Sequence, residues 1–510
     1  MGGGAFLAID LGASSGRAIL ATIDGDGRGH GPGHGGSSRM QLEEVHRFPN
    51  QPIHLPGGYF WNAPQIYEEI KAGLAKGFQL AAAKGYPLLG AGIDTWGVDY
   101  GLITRSGALL GLPRHYRDPR HVTVYDRIMQ QQAPEEIYME TGIQFMALNT
   151  LYQLLAVQEF ESGLLELADS LLMMGALFTY FLTGERLSEE TTASTTQFLN
   201  PYTRNWSETL LKRFGLPASI LPPVVEPGKV VGPLLKSVAE EIGCGGGGDG
   251  GFKIILPAVH DTASAVAAVP AEGESWCYLS SGTWSLLGLE TAAPVINRQS
   301  LAFNITNEGG VFGTTRLLKN VTGLWILQEC KRQWDAEGET SWDELMREAA
   351  AAPPAGSWLD PDHRLFAAPG DMIGRLKEYY RQTGQEMPAT RGSLTRSILE
   401  SLALKYRYVL NQLETLVGRR CEVIHIVGGG AQNALLNQMT ADASGRTVLA
   451  GPVEATAIGN ALMQAIALRW LDSLADGRSL VRRSFPAAQY QPRETGRWDE
   501  VYETFVKLLG

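Results

Sequence analysis

The sequence predicts an α/β protein with two lobes, and the first reason is a hairpin pattern that occurs twice, roughly half a chain apart. In residues 6–20 an apolar strand ends at Asp10, a turn rich in Gly and Ser follows, and a second strand continues after Arg17. Residues 277–290 repeat this order around Ser-Ser-Gly-Thr. Turns of this kind can bring backbone N–H groups and hydroxyls close to a phosphate. One copy is equally compatible with an ordinary hairpin, but two copies favour a duplicated nucleotide site.

A third glycine-rich turn supports the same fold class. Residues 423–427 read as a buried strand, glycines occupy 428–430, and residues 431–444 predict a helix. This order lets a flat base or a phosphate lie against the backbone at a helix N-terminus. A strand at 447–449 and a helix at 455–468 complete a βαβ pattern. Together with the two hairpins, the turn is predicted to form an adenosine pocket.

The other elements follow from helix caps, breakers and hydrophobic periodicity. Asn62, followed by Ala-Pro, starts a helix that Gly85 ends. Residues 171–182 are the longest apolar run, which is too short to span a bilayer and predicts a buried helix. The Gly-rich stretches 25–38 and 243–251 predict surface loops. Further helices are predicted at 123–132, 134–140, 150–160, 322–334 and 394–417, and further strands at 40–48 and 88–94.

Composition limits the class of protein. The 510 residues allow two or more domains, and 44% hydrophobic and 19% charged residues are ordinary for a globular enzyme. The net charge of −11, without a long basic run, argues against nucleic acid or an anionic membrane as partner. The four cysteines are scattered, and no signal-peptide pattern precedes the first strand. We therefore expect a reduced, cytoplasmic setting.

One stretch offers groups that a sugar could use. Trp96 and Asp99 flank Gly97, where a ligand could approach the backbone. An indole face beside a carboxylate is typical of sugar sites. Taken alone, however, this stretch is better interpreted as a core tryptophan with a turn aspartate. The hydroxyl-rich residues 191–197 indicate no distinct chemistry.

Two aspartates could take part in catalysis. Asp261 follows a strand and precedes an Ala-rich helix that starts at Thr262. It is either the N-cap of that helix or a carboxylate that faces a cleft between the lobes and accepts a proton from a substrate hydroxyl. His260 would point away from Asp261 in extended backbone, which would leave it a minor role at most. Asp10, at the mouth of the first turn, could hold a hydrated Mg²⁺.

Taken in chain order, these motifs resemble the FGGY carbohydrate kinases. The resemblance implies the actin/hexokinase-like ATPase fold, in which a ribonuclease H-like domain is duplicated around an interlobe cleft. It implies an N-terminal lobe at residues 1–270 and a C-terminal lobe at 271–510. The residues that carry the resemblance are 10–17, 92–99, 116–118, 260–265, 280–285, 304–310, 318–320 and 425–437.

The resemblance also implies cofactors, partners and site residues. ATP and Mg²⁺ would be the cofactors, and a ketose sugar the substrate of a monomer or homodimer without nucleic-acid or membrane partners. Asp261 would be the catalytic proton acceptor and Asp10 the metal ligand. The implied ATP ligands are Ala13, Ser14, Ser15, Gly16, Arg17, Thr283, Gln328 and Gly429. The implied sugar ligands are Gly97, His260, Asp261, Thr262 and Asn320.

The choice of sugar depends on fewer residues. Within the family, Thr-Trp-Gly-Val-Asp at 95–99 with His-Asp-Thr-Ala-Ser at 260–264 implies L-rhamnulose, phosphorylated at its 1-hydroxyl in L-rhamnose breakdown. Residues 173–177 depart from the family pattern, which has a Pro-Asp pair there, so this helix start is atypical. The alternatives are another ketose, such as L-fuculose or D-xylulose, and a non-catalytic sugar-sensing protein. Intact Asp10, Arg17 and Asp261 favour an enzyme.

Overall fold

The structure is a computed structural model that describes residues 3–24, 38–131, 134–244, 251–336 and 338–509. The predicted Gly-rich loops fall mainly on 25–37 and 245–250, which lie outside the described residues. The chain forms two compact units. Unit 1 consists of Met1–Pro270, Glu290–Leu317 and Ala455–Phe485, and unit 2 of Ala271–Leu289, Leu318–Glu454 and Pro486–Gly510. The predicted boundary between two lobes at residue 270 stays a prediction, and unit 1 also includes two segments that follow this residue.

The strands of the described residues, in chain order, are β1 Gly3–Leu11, β2 Ser15–Asp24, β3 Met40–Pro49, β4 Ile53–Leu55, β5 Gly58–Phe60, β6 Leu88–Thr95, β7 Tyr100–Ile103, β8 Ser170–Met173, β9 Ser188–Glu189, β10 Leu199–Asn200, β11 Asn205–Trp206, β12 Val224–Val225, β13 Lys229–Gly232, β14 Lys253–Leu256, β15 Trp276–Ser281, β16 Trp284–Thr291, β17 Thr306–Gly309, β18 Thr315–Thr322, β19 Val423–Val427, β20 Thr447–Ala450 and β21 Ala488–Tyr490.

The α-helices of the described residues are α1 Ala63–Ala83, α2 Pro119–Gln131, α3 Pro134–Thr141, α4 Thr150–Phe160, α5 Leu164–Leu167, α6 Met174–Thr183, α7 Glu190–Ala193, α8 Glu208–Phe214, α9 Lys236–Glu241, α10 Asp261–Ala267, α11 Arg298–Ala302, α12 Trp325–Asp335, α13 Trp342–Ala351, α14 Met372–Gln382, α15 Arg391–Val417, α16 Ala434–Ser444, α17 Ala455–Ala467, α18 Leu474–Ser484 and α19 Thr495–Leu508. Short 3₁₀-helices occupy Ser194–Thr196, Ala218–Ile220, Arg364–Phe366 and Gly429–Gln432.

The larger sheet of unit 1 has the strand order β13-β14-β6-β1-β2-β3. Strands β1 and β2 form the predicted antiparallel hairpin, while β6 pairs with β1 and β14 pairs with β6 in parallel. Every residue of β1 is buried, because α1 and α17 pack against the sheet. A near-continuous apolar strand such as β1 is typical of this central position.

A seven-stranded sheet has the order β17-β18-β16-β15-β19-β20-β21. Its centre repeats the plan of the first sheet: β15 and β16 form an antiparallel hairpin, and β19 lies parallel to β15. Both predicted hairpins therefore stand beside a parallel strand that comes later in the chain. The predicted α/β duplication is confirmed at this level.

One predicted helix is partly wrong. Of residues 171–182, the first three belong to β8, which pairs with β7, and helix α6 begins only at Met174. A run that is buried on all sides shows neither the period of a strand nor that of a helix, so the boundary was not visible in the sequence. Among the described residues, no helix is both long and apolar enough to cross a membrane.

Candidate active site

The first hairpin places a carboxylate beside a guanidinium. The antiparallel register pairs Asp10 with Arg17 across the mouth of the turn. A guanidinium nitrogen of Arg17 donates to Asp10 Oδ2 at 2.5 Å, and Asp10 is 7% exposed. A charge-assisted contact of this kind orients both side chains. Two of the predicted ligand residues are therefore in direct contact.

The turn itself is held by a residue that the sequence did not suggest. Gly12 N–H donates to Ser15 O at 3.0 Å and closes the turn. Asn50 donates its backbone N–H to Ser14 O at 3.0 Å and its side-chain amide to Gly12 O at 2.8 Å. Asn50 is 3% exposed and follows β3, the neighbour of β2. No local signal could identify it, since its role depends on strand pairing.

A third aspartate, Asp94, interacts electrostatically with the two predicted ones, Asp10 and Asp261. Strands β1 and β6 are parallel, and their register sets Asp94 beside Asp10 at the ends of both strands. Asp94 is fully buried and accepts from Asn460 Nδ2 at 2.6 Å. Burial raises the pKa of Asp94 well above its usual range, and the charges of Asp10 and Asp261 add to the increase. Unit 1 therefore gathers three carboxyl groups in one electrostatically coupled cluster.

Asp261 is the first residue of α10 rather than its N-cap, a position that His260 takes without a side-chain capping bond. Its Oδ1 accepts from Thr262 N at 2.5 Å and from Thr262 Oγ1 at 3.1 Å. Its Oδ2 accepts no hydrogen bond from the described part of the chain, and the side chain is 34% exposed. Burial raises the pKa of Asp261, and the charge of Asp10 reinforces the increase. One oxygen of this carboxylate is thus available to a ligand.

The predicted direction of His260 is wrong. Its Nε2 lies 3.4 Å from Asp261 Oδ1, so the ring and the carboxylate are neighbours. Strict alternation of side chains applies within an extended strand. His260, however, stands at the bend between a strand and a helix. On its other side Nδ1 faces Glu308 and Arg316, which the sequence had not connected with the site.

Gly97 packs against a threonine from a distant segment. A Cβ at Gly97 would lie 3.0 Å from Thr195, so the small residue allows a close approach. The next residue, Val98, has φ +68°, a left-handed conformation that a β-branched residue rarely adopts. Its N–H donates to Thr195 Oγ1 at 3.0 Å, and its carbonyl accepts from Thr150 Oγ1 at 2.6 Å. These two hydrogen bonds hold the strained backbone of Val98 next to Gly97, the residue that was predicted to contact the sugar.

Asp99 is structural, as the residue pattern favoured. It is fully buried and accepts hydrogen bonds from Trp61 Nε1 at 2.6 Å, Trp96 Nε1 at 3.0 Å, Gln153 Nε2 at 2.9 Å and Tyr116 N at 3.2 Å. Burial raises its pKa to about 7, while these four donors oppose the increase. With its oxygens engaged in this way, Asp99 organises the indole rings rather than a ligand.

The hydroxyl-rich segment also braces the backbone that carries His260. His260 N–H donates to Thr191 Oγ1 at 3.0 Å, and Val259 N–H to Glu189 Oε2 at 3.3 Å. Thr191 Oγ1 in turn donates to Glu189 Oε2 at 2.6 Å. Burial raises the pKa of Glu189 to about 7. Thr191, from the segment for which no chemistry was predicted, and the neighbouring Glu189 therefore each fix one backbone position of the site.

Unit 2 brings together three predicted nucleotide-binding positions. Thr283 Oγ1, in the second hairpin turn, donates to Gln328 Oε1 on α12 at 3.1 Å. The glycine turn packs on the same hairpin, since a Cβ at Gly430 would lie 2.0 Å from Ser281 Oγ. No described heavy atom lies within 4 Å of a Cβ built at Gly429, so this face of the turn is open.

Two further predictions concern the sugar contact of Asn320 and the metal ligand Asp10. Asn320 lies on β18, and its predicted contact with a sugar stays a prediction. Among the described residues, no group of three or more His, Cys, Asp or Glu side chains is arranged to hold a metal ion. Asp10 is thus not part of an all-protein metal cage in the described chain.

Family models and sequence relatives agree along nearly the whole chain. The N-terminal domain of the FGGY family of carbohydrate kinases matches residues 5–265, and its C-terminal domain matches residues 277–468. A rhamnulokinase from Bacteroides thetaiotaomicron is 43% identical over 504 residues, or 99% of each chain. Rhamnulokinases from Pectobacterium carotovorum and Bacillus subtilis are 40% and 37% identical, over 96% of this chain and 95% and 96% of theirs.

Solved structures share the fold at low sequence identity. A gluconate kinase and a ligand-bound xylulose kinase from Lactobacillus acidophilus have TM-scores of 0.78 and 0.77, each at 16% identity over 99% of this chain and 97% of theirs. A Plasmodium falciparum glycerol kinase with ADP has a TM-score of 0.76 at the same identity and coverage. These structures confirm the fold class, and the family models together with the close relatives show that the chain belongs to the FGGY family of carbohydrate kinases.

Proposed function

We propose that this protein transfers the γ-phosphoryl group of ATP to the 1-hydroxyl of L-rhamnulose. The observation that carries the proposal is its identity of 37–43%, over 96–99% of its length, with proteins named rhamnulokinase. The site supports a kinase in which Asp261 is the proton acceptor. We place the reaction in the cytoplasm of the cell, where its four cysteines would stay reduced, and we expect a monomer or homodimer.

In this proposal Asp261 Oδ2 accepts the proton of the sugar hydroxyl. The hydroxyl oxygen then attacks the γ-phosphorus, and ADP leaves on the opposite side. Two features of Asp261 suit a proton acceptor. Its Oδ1 is already occupied by Thr262, and burial raises the pKa of the carboxyl group above that of an exposed aspartate. A raised pKa makes the carboxylate a better base near neutral pH.

The first hairpin turn would bind the phosphates. Its backbone N–H groups and hydroxyls at residues 13–16 suit phosphate oxygens, and Arg17 adds a positive charge. Mg²⁺ is usually held by one or two carboxylates, water and substrate phosphates rather than by a protein cage, and the carboxylate of Asp10 is a donor of this kind. Asp10 would hold the ion, which would neutralise charge on the β- and γ-phosphates.

A substrate panel tests the proposal. ADP release would be measured with ATP and Mg²⁺ over L-rhamnulose, L-fuculose, D-xylulose, L-ribulose and glycerol. We expect the highest kcat/KM for L-rhamnulose. A higher value for another ketose would refute the proposed substrate and leave a sugar kinase. No turnover of any sugar, with ATP still bound, would support a sugar-sensing protein.

Asp261→Asn tests the role of the base. The amide keeps the shape of the side chain but cannot take up a proton at neutral pH, so we expect ATP binding to persist while transfer falls at least ~100-fold. The matched control is Asp126→Asn, since Asp126 is exposed on α2 and should be dispensable. Wild-type kcat in Asp261→Asn would remove Asp261 from this role.

A further inference from the structure

Three buried side chains form a cluster next to the proposed base. His260 stands before α10, Glu308 lies on β17 and Arg316 on β18, all within unit 1. Their side chains are 10%, 5% and 0% exposed. Arg316 NH2 lies 3.1 Å from His260 Nδ1 and 3.1 Å from Glu308 Oε2, and Glu308 Oε2 lies 3.3 Å from His260 Nδ1.

The arginine limits which nitrogen of His260 carries the proton. A guanidinium has only N–H donors and does not deprotonate in a protein, so it can donate to Nδ1 but cannot accept from it. Nδ1 must then present its lone pair to Arg316. In a neutral ring the proton therefore lies on Nε2, which is 3.4 Å from Asp261 Oδ1.

Glu308 would favour the opposite arrangement if it acted alone. A carboxylate beside Nδ1 repels a lone pair there and attracts a proton. A proton on Nδ1 would leave the lone pair of Nε2 facing the carboxylate of Asp261, which is repulsive. Arg316 prevents this because it donates to Nδ1 and places its positive charge 3.1 Å from Glu308 Oε2, while its Nε donates to Gly309 O at 2.8 Å.

We propose that Arg316, balanced by Glu308, is a positioning residue that keeps the proton of His260 on Nε2, facing Asp261. The Nε2–H group then attracts Oδ1 of Asp261 and holds the carboxylate with Oδ2 towards the sugar hydroxyl. The inference rests on the proposed function only for the identity of the reaction. The arrangement of the histidine is a property of the protein without substrate.

The direct test is the tautomer of His260 in the wild-type protein. Histidine labelled with ¹⁵N distinguishes Nε2–H from Nδ1–H by its nitrogen shifts, and the resonance of His260 is assigned from its loss in His260→Gln. We expect a neutral ring protonated at Nε2. Protonation at Nδ1 would overturn the proposal, and the tautomer is read in the wild-type protein, so this measurement needs no variant of Arg316 or Glu308.

Variants of Arg316 connect the tautomer with the reaction. Arg316→Met removes the donor, so we expect the His260 proton to move to Nδ1. We also expect kcat to fall about 10- to 100-fold, which is the usual loss when a residue that orients a functional side chain is removed. KM for ATP should stay within about twofold, because the change is confined to the sugar side. Arg316→Lys retains a donor and should recover most of the kcat and the Nε2–H signal.

A second buried arginine provides the control. Arg446 of unit 2 is 9% exposed and pairs with Glu414, so Arg446→Met should lower Tm without changing the tautomer or kcat. Wild-type kcat in Arg316→Met, or equal kcat losses in Arg316→Met and Arg446→Met, would refute the positioning role. Failure of the proposed function looks different, since wild-type protein would then lack transfer to L-rhamnulose while the tautomer is unchanged.

Discussion

Replacing Gly459 with alanine tests how the packing of two helices places the proposed base. Gly459 lies on α17 and faces the backbone of α10, the helix that begins at Asp261. A Cβ at Gly459 would lie 1.7 Å from Ser264 O and 2.5 Å from Ser264 C. A backbone carbonyl cannot rotate aside as a side chain can. The methyl group can therefore be accommodated only if the two helices move apart.

The size of the effect follows from this distance. Carbon and oxygen atoms approach to about 3.3 Å, so the helices must separate by roughly 1.5 Å. Overpacking of a core typically costs 1–3 kcal/mol, and we expect the upper end, about 3 kcal/mol. Unit 1 has about 330 residues, and at ~2.1 cal/mol/K per residue this loss lowers Tm by about 4 °C. A shift of ~1 Å at a reacting group can cost 10²-fold in rate, so kcat should fall ~10- to 100-fold.

The assay combines thermal unfolding, followed by circular dichroism, with ADP release at 25 °C. The control is Gly496→Ala on α19, because no described heavy atom lies within 4 Å of a Cβ there. Alanine should stabilise that helix by up to ~1 kcal/mol and leave kcat unchanged. If Gly459→Ala unfolds at the wild-type temperature and retains the wild-type kcat, the argument from helix packing is wrong.

Three further predictions concern the segments that surround the site. Thr195→Val removes the acceptor of the Val98 N–H group and should cost about 1–3 kcal/mol in thermal or urea unfolding, whereas Thr195→Ser should retain stability. The pKa of Glu189 rises from its ordinary value of 4.5 to about 7 on folding, so this carboxyl group keeps its proton longer in the folded state. The free energy of unfolding should therefore fall as pH rises from about 4.5 to about 7, by up to ~1.4 kcal/mol per pH unit, and urea titrations should show a flatter slope for Glu189→Gln. Gly175→Ala would bring a Cβ to 2.3 Å from Val259 Cγ1, so it should lower Tm by the equivalent of about 1–3 kcal/mol. Adding Val259→Ala to this variant should restore part of the lost stability. An unchanged Tm in Gly175→Ala alone would contradict the prediction.

Local chemistry made several elements predictable. Helix α4 and strand β19 have the bounds that the sequence indicated, and α1 begins after the Asn62 cap. Caps, breakers and glycine turns act within a few residues, so they are visible without knowledge of the fold. The same holds for the two hairpin turns, whereas the duplicated phosphate site that their residue types indicate stays a prediction.

The wrong predictions concern segments whose structure is decided by contacts with other parts of the chain. The run at 171–182 divides into a strand and a helix because its first residues pair with β7, a partner some seventy residues earlier in the chain. His260 faces Asp261 because the chain bends between a strand and α10. In both cases the local pattern allowed two conformations, and contacts from elsewhere selected one.

The sequence by itself determined the fold class and the family resemblance, and it indicated Asp10, Arg17 and Asp261 as the proposed reactive side chains, since each belongs to a short motif with its own chemistry. Only the tertiary structure revealed the residues that hold them in place: Asn50 on the first turn, Asp94 beside Asp10, and Arg316 with Glu308 behind His260. Each of these contacts joins segments that are distant in sequence. Such pairs are set by strand register and by the packing of helices on the sheet, and no local signal in the chain records them.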